Sequence, residues 1–188
     1  LTLNNEADTA SANAGIVQVT VSDDISGQIA LGDEVGTLIL EATPDEAADT
    51  ASSDDIDIAE VDVGVNGGTT VLVRGAGDLT IAMLDVTSAT DEILSATEMT
   101  GKLTISDTDE TATLVLGQGN DKVSDTAEDV DTIVYAGAGD DSITFGEGGS
   151  NTAYGEDGDD TITGNATDGA LKAYGGNGDD TISSGGSA

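Results

Sequence analysis

Four aspartates in the last third of the chain share one local setting. Asp121, Asp141, Asp160 and Asp180 each stand two residues after a glycine (Gly119, Gly139, Gly158, Gly178) and two before a β-branched residue (Val123, Ile143, Ile162, Ile182). Three copies carry a further glycine upstream, Gly117, Gly137 and Gly176, whereas the Asp160 copy has Glu156 there, with Gly155 just ahead of it. Successive aspartates lie 20, 19 and 20 residues apart. The chemistry this pattern serves is oxygen ligation. Glycines accept the positive φ of a tight turn and expose main-chain carbonyls. The aspartate adds a carboxylate, and the apolar residue starts a short strand aimed at a core. Stacked turns of this kind surround a hard cation with the several oxygens that calcium takes.

Weaker half-repeats alternate with the strong ones. Asp131-Thr-Ile133 keeps the acid and the apolar residue, Asn151-Thr-Ala153 has Asn and Ala in those slots, and Leu171-Lys-Ala173 has lost the oxygen ligand. The period is therefore about ten, which means two turns and two short strands per coil. Tyr135, Tyr154 and Tyr174 are the 3 tyrosines of the chain, and each lies six residues before its aspartate. Stacked coils place them in a ladder where ring packing stiffens the fold. A carbohydrate-binding platform, with cell-surface polysaccharide as partner, is the functional alternative.

The elements that must hold these turns are strands. Upstream, β signals fall at Ile16–Val21, Gln28–Leu31, Thr37–Glu41, Ile56–Val65, Thr70–Val73, Leu79–Met83 and Lys102–Ser106, separated by glycine-rich turns. Thr43–Asp55, acidic and containing Pro44, reads as an exposed loop. Asp91–Met99 reads as a short helix or an irregular turn. From Val71 onward the apolar clusters keep the rhythm of the repeat. The expected fold is all-β: a parallel β-roll or β-solenoid, stabilised by calcium at its C-terminal end. Three regions are expected: a β-rich N-terminal region over 1–66 (a small β-sandwich-like domain or an irregular solenoid start), an irregular solenoid over 67–114, and the β-roll over 115–188.

Charge narrows the function. Among 188 residues, 38 are acidic and 4 basic, with no His and no Cys, for a net charge of -34. No basic surface exists to neutralise phosphates, so nucleic acid is excluded as a partner, and an anionic membrane surface is disfavoured for the same reason. Such acidity often accompanies disorder, but 37% of the residues are hydrophobic and recur in short β-like runs. Acids fixed relative to glycines also differ from the scattered acidity of a halophilic surface. No run of apolar residues is long enough for a transmembrane segment. Without His or Cys the commonest bases and nucleophiles are missing, and with so few aromatics a carboxylate-pair pocket is hard to build. The expectation is a protein that is not an enzyme.

Gly175-Gly-Asn-Gly-Asp-Asp180-Thr-Ile-Ser183 resembles the RTX nonapeptide, G-G-x-G-x-D-x-U-x, a calcium-binding turn of parallel β-helices. The resemblance covers about residues 115–185, with Leu116 and Ala136 in place of the first glycine and Glu156 in place of the second. It implies that Asp121, Asp141, Asp160 and Asp180 line one edge of the roll, with about three calcium positions between coils. The opposite edge would carry Asp131, Asn151 and Leu171, weakly metallated and empty around Leu171. Val71–Ile81 and Thr100–Ser106, followed by these turns, also look like segments of bacterial surface-layer proteins. That likeness implies an extracellular or cell-surface structural protein: a calcium-dependent subunit of a surface layer, sheath or filament, self-associating into a lattice or fibre. Scarce cytosolic calcium would leave it unfolded and fit for type I secretion. The alternative is the RTX stalk, or the secretion and folding module, of a larger adhesin, toxin or hydrolase. Leu1 follows no signal-peptide pattern, and Ser183–Ala188 lacks an apolar tail. A processed product or a fragment is therefore expected.

Overall fold

The structure, a computed structural model, describes residues 15–21, 25–31, 35–43, 55–63, 70–85, 92–108, 112–125, 130–165 and 170–184. Every regular element among them is a strand. In chain order these are β1 (Gly15–Val21), β2 (Ile25–Leu31), β3 (Val35–Ala42), β4 (Asp55–Val63), β5 (Thr70–Gly75), β6 (Asp78–Ile81), β7 (Leu84–Asp85), β8 (Glu92–Met99) and β9 (Leu103–Ile105). The remainder are β10 (Ala112–Val115), β11 (Lys122–Ser124), β12 (Ile133–Tyr135), β13 (Ser142–Thr144), β14 (Ser150–Asp157), β15 (Thr161–Thr163), β16 (Ala170–Asn177) and β17 (Thr181–Ser183).

Strands alternate between two parallel sheets. One is 8-stranded, in the order β1-β3-β5-β8-β10-β12-β14-β16, and the other runs β17-β15-β13-β11-β9-β6-β4-β2, with β7 beside β4. The chain therefore winds as a β-solenoid, each coil giving a strand to each sheet, with β7 an extra short strand in the second. Parallel pairing demands this, because a strand can meet the next parallel one only after the chain has travelled round. Both sheets continue past β4, since β3 pairs with β5 and β4 with β6.

Alternation along each strand sends every second residue inward. In the first sheet the inward row reads Leu38, Val71, Leu94, Leu114, Val134, Ala153 and Ala173, each level with the next. In the second it reads Ile58, Ile81, Ile105, Val123, Ile143, Ile162 and Ile182. All are buried except Ala173, which is partly buried against the core, and Ile182 in the last described coil. The second row stays β-branched throughout, while the first shrinks to alanine.

Two expectations change. Asp91–Met99 was expected as a helix or turn, but Glu92–Met99 is an eight-residue strand paired with β5 and β10. Its Glu, Leu, Ala and Met favour helix locally, and pairing on both sides overrides that preference. The inward residue of β12 is Val134 rather than Ile133, which is only half-buried. The acidic loop expected at Thr43–Asp55 falls almost wholly outside the described residues.

Candidate metal centre

The strong turns cross from the first sheet to the second at 116–121, 136–141, 155–160 and 175–180. Parallel coils at this spacing bring main chain onto main chain. A Cβ on Gly158 would overlap the Gly139 carbonyl oxygen, and one on Gly178 would overlap that of Gly158. Both glycines also sit at φ of 137° and 136°, where an L side chain is strained. Gly137, Gly139 and Gly176 likewise have positive φ. Glu156, aligned with Gly176, adopts φ 76° in spite of its side chain. Gly155 has no positive φ, but a Cβ there would collide with Asp160 Oδ2.

Each aspartate reaches back one coil. Asp121 Oδ1 accepts the Leu103 N–H at 2.7 Å, Asp141 Oδ1 the Asp121 N–H at 2.7 Å, Asp160 Oδ1 the Asp141 N–H at 2.9 Å, and Asp180 Oδ1 the Asp160 N–H at 3.1 Å. The expected row of four is therefore one continuous ladder along one edge. Asp121, Asp141 and Asp160 are buried. Burial pushes the Asp121 carboxyl up to about 6 and that of Asp141 up to about 8, and it raises Asp160 as well. The accepted N–H bonds pull the other way, and neighbouring aspartates add to the rise.

A second ladder stands beside the first. Asn120 Oδ1 accepts the Asp140 N–H at 3.1 Å, Asp140 Oδ1 the Asp159 N–H at 3.0 Å, and Asp159 Oδ1 the Asp179 N–H at 2.8 Å. These side chains are exposed and reach forward one coil, opposite to their neighbours. The glycine spacing gives no sign of this second ladder, although an Asn or Asp precedes the first-ladder aspartate in all four copies.

The opposite edge is built differently. Level with Asn151 and Leu171 stands Thr132, not Asp131, which is exposed and aligned with Ser150. The coil between β12 and β14 is 19 residues long rather than 20, so the expected row was out by one. Asp131 Oδ1 accepts the Ser150 N–H at 2.5 Å and the buried Asn151 Oδ1 accepts the Thr132 N–H at 2.9 Å. Buried Asp125, also unforeseen, accepts the Thr132 hydroxyl at 2.9 Å. One coil on, Phe145 fills the matching place, and Gly164 leaves room there for Leu171. The tyrosines stack as expected, with ring centroids 4.8 and 4.9 Å apart and planes within 5°.

The donor set suits calcium. Asp141 Oδ2 and Asp160 Oδ2 are buried without any hydrogen-bond partner. An orphaned buried carboxylate oxygen is costly, and a hard cation with oxygen ligands relieves that cost. Among the described residues no three acidic side chains converge on one point, so carbonyls of the glycine turns and water would complete the shell of a bound ion. Asp141 and Asp160 would hold the ion, which supplies positive charge between neighbouring coils.

Comparison with known proteins agrees with this geometry. The family described as RTX calcium-binding nonapeptide repeat (4 copies) matches over residues 131–149, 145–168 and 172–188. No curated protein and no solved structure matches the chain. The C-terminal part of the chain thus carries RTX repeats, and such repeats bind Ca2+.

Proposed function

We propose that this chain is a non-catalytic structural element that works outside a bacterial cell, where calcium folds and stiffens it and copies of it assemble into a surface layer, sheath or filament. The observation that carries the calcium half of this reading is the pair of buried, unpartnered oxygens, Asp141 Oδ2 and Asp160 Oδ2. In a chain of net charge -34, such groups stay ionised only beside a cation.

RTX repeat proteins are generally secreted and extracellular. Extracellular calcium modules bind with dissociation constants of roughly 0.1–1 mM. The sites between Asp141, Asp160 and Asp180 would then fill after export and drive folding by linkage. Assembly is supported by shape and charge. A solenoid offers long regular flanks to its neighbours, and the same net charge keeps copies apart until cations neutralise it. The absence of His and Cys from the chain supports a role without catalysis.

The test is a calcium titration of chelator-treated protein, followed by circular dichroism, light scattering and negative-stain microscopy. Gain of β-structure together with sheets or filaments is the expected result. Gain of β-structure in a particle that stays monomeric reassigns the chain as the stalk or folding module of a larger protein. No gain of structure removes the calcium reading itself.

A further inference from the structure

The first copy of the repeat, 116–121, differs from the other three in ways that bear on its metal. Gly117 and Gly119 have no positive φ, whereas Gly137, Gly139, Gly158, Gly176 and Gly178 all do. Their need for glycine is one of space: a Cβ on Gly117 would overlap the Met99 carbonyl oxygen, and one on Gly119 that of Gly101. The carboxylate differs too. Asp121 Oδ1 accepts the Leu103 N–H at 2.7 Å and Oδ2 accepts the Gly117 N–H at 3.1 Å, so both oxygens are satisfied by main chain. In Asp141 and Asp160 the second oxygen has no partner. The coil beneath carries Lys102 at the level where the later copies carry Asp140, Asp159 and Asp179; burial raises the Asp121 carboxyl, and the two N–H bonds and the Lys102 charge offset part of that rise.

We infer that the coil bearing Asp121 binds no calcium and instead closes the metal-bearing stack with a cap made of the protein's own donors, so that calcium lies only between the coils of Asp141, Asp160 and Asp180. Two N–H groups do for Asp121 what the ion does for its successors. The metal-dependent coils then rest on a turn that forms without metal, at the junction with the aliphatic coils. This inference depends on the calcium reading above and specifies which copies that reading applies to.

The test counts calcium by equilibrium dialysis against the full chain, comparing D121N with D141N and D160N. D121N is expected to bind as many ions as the unaltered chain, while D141N and D160N each lose at least one. Loss of an ion in D121N, with the unaltered chain still binding calcium, overturns the cap and leaves the calcium reading standing. An unaltered chain that binds no calcium overturns both. If D121N does not fold, terbium titrated into the unaltered chain and followed by amide NMR decides the matter. The largest paramagnetic shifts are expected between Gly139 and Asp180, and equally large shifts at Gly101 and Gly117 would overturn the cap.

Discussion

The coils from β3 to β11 and those from β12 to β17 share two sheets and one winding, yet they bury different things. In the earlier coils Leu38, Leu40, Ile58, Leu79, Leu94 and Leu103 fill the space between the sheets. In the later coils one inward row falls to Ala153 and Ala173, and the turns beyond the Asp121 cap bury Asp141 and Asp160. Burying a Leu or Ile is worth about 1.5–3 kcal/mol wherever there is water to leave. A row of buried carboxylates is favourable only when something positive joins it. One backbone plan thus has an unconditional part and a conditional part, and the two meet at the Asp121 turn.

Removing calcium should separate the two parts most sharply. In chelator the amides of β13 and β15 should lose their hydrogen-exchange protection, while those of Leu79, Ile81 and Leu103 keep theirs. Equal loss along the whole chain would abolish the distinction. Next in size is a core deletion in the unconditional part. Leu40 is fully buried, and Leu40→Ala should cost about 2–5 kcal/mol by thermal or urea unfolding, to the same extent with and without calcium.

Within the conditional part, Asp160→Asn leaves the ladder in place but removes a charge. The calcium midpoint followed by circular dichroism should rise about tenfold, as expected for a loss of about 1.5 kcal/mol. Asn151→Ala gives up one ordinary bond, to the Thr132 N–H, and should move the midpoint less. The reverse ranking would transfer the metal to the other edge.

Acidity offers a gentler probe. Burial holds Asp121 at about 6 and Asp141 at about 8, both above the ordinary carboxylate value. Without calcium their contribution to the folded state is full in acid, below the unfolded value of about 4, and is lost as pH rises through about 6 and then about 8. Chelated protein should therefore gain β-structure on acidification from pH 8 to 5. In calcium the same change should raise the calcium midpoint, because protons compete for the carboxylates. The smallest effect is a repair. Glu156→Gly relieves a left-handed residue and should stabilise the calcium form by about 1 kcal/mol.

The conditional part was the easier to read from sequence, because its turns demand particular residues. Glycine at positive φ and aspartate two residues later are chemical requirements, and they fixed the phase of Asp121, Asp141, Asp160 and Asp180 as well as the tyrosine ladder. The opposite edge had no such signal. Thr132 and Asn151 share a level because the intervening coil has 19 residues, and the 19-residue gap between Asp141 and Asp160 already contained that shift. Glu92–Met99 was illegible for another reason: its residues suit a helix, and only its neighbours β5 and β10 make it a strand. The metal-free form of the first turn was equally hidden, since Gly117, Gly119 and Asp121 have the spacing of a ligating copy while their hydrogen bonds differ.

The tyrosine rings also measure the rise of the roll, 4.8 and 4.9 Å from coil to coil. Main-chain bonds between coils point along that axis, so tension on the two ends peels one coil away before it loads the next. A coil of 19 or 20 residues released in this way extends to roughly 63–72 Å. Single-molecule stretching in calcium should record steps of that length from the later coils, and a single all-at-once rupture would refute peeling. Mechanically, the conditional part would store slack: short and stiff at rest, long under load, with a yield point set by the calcium around it.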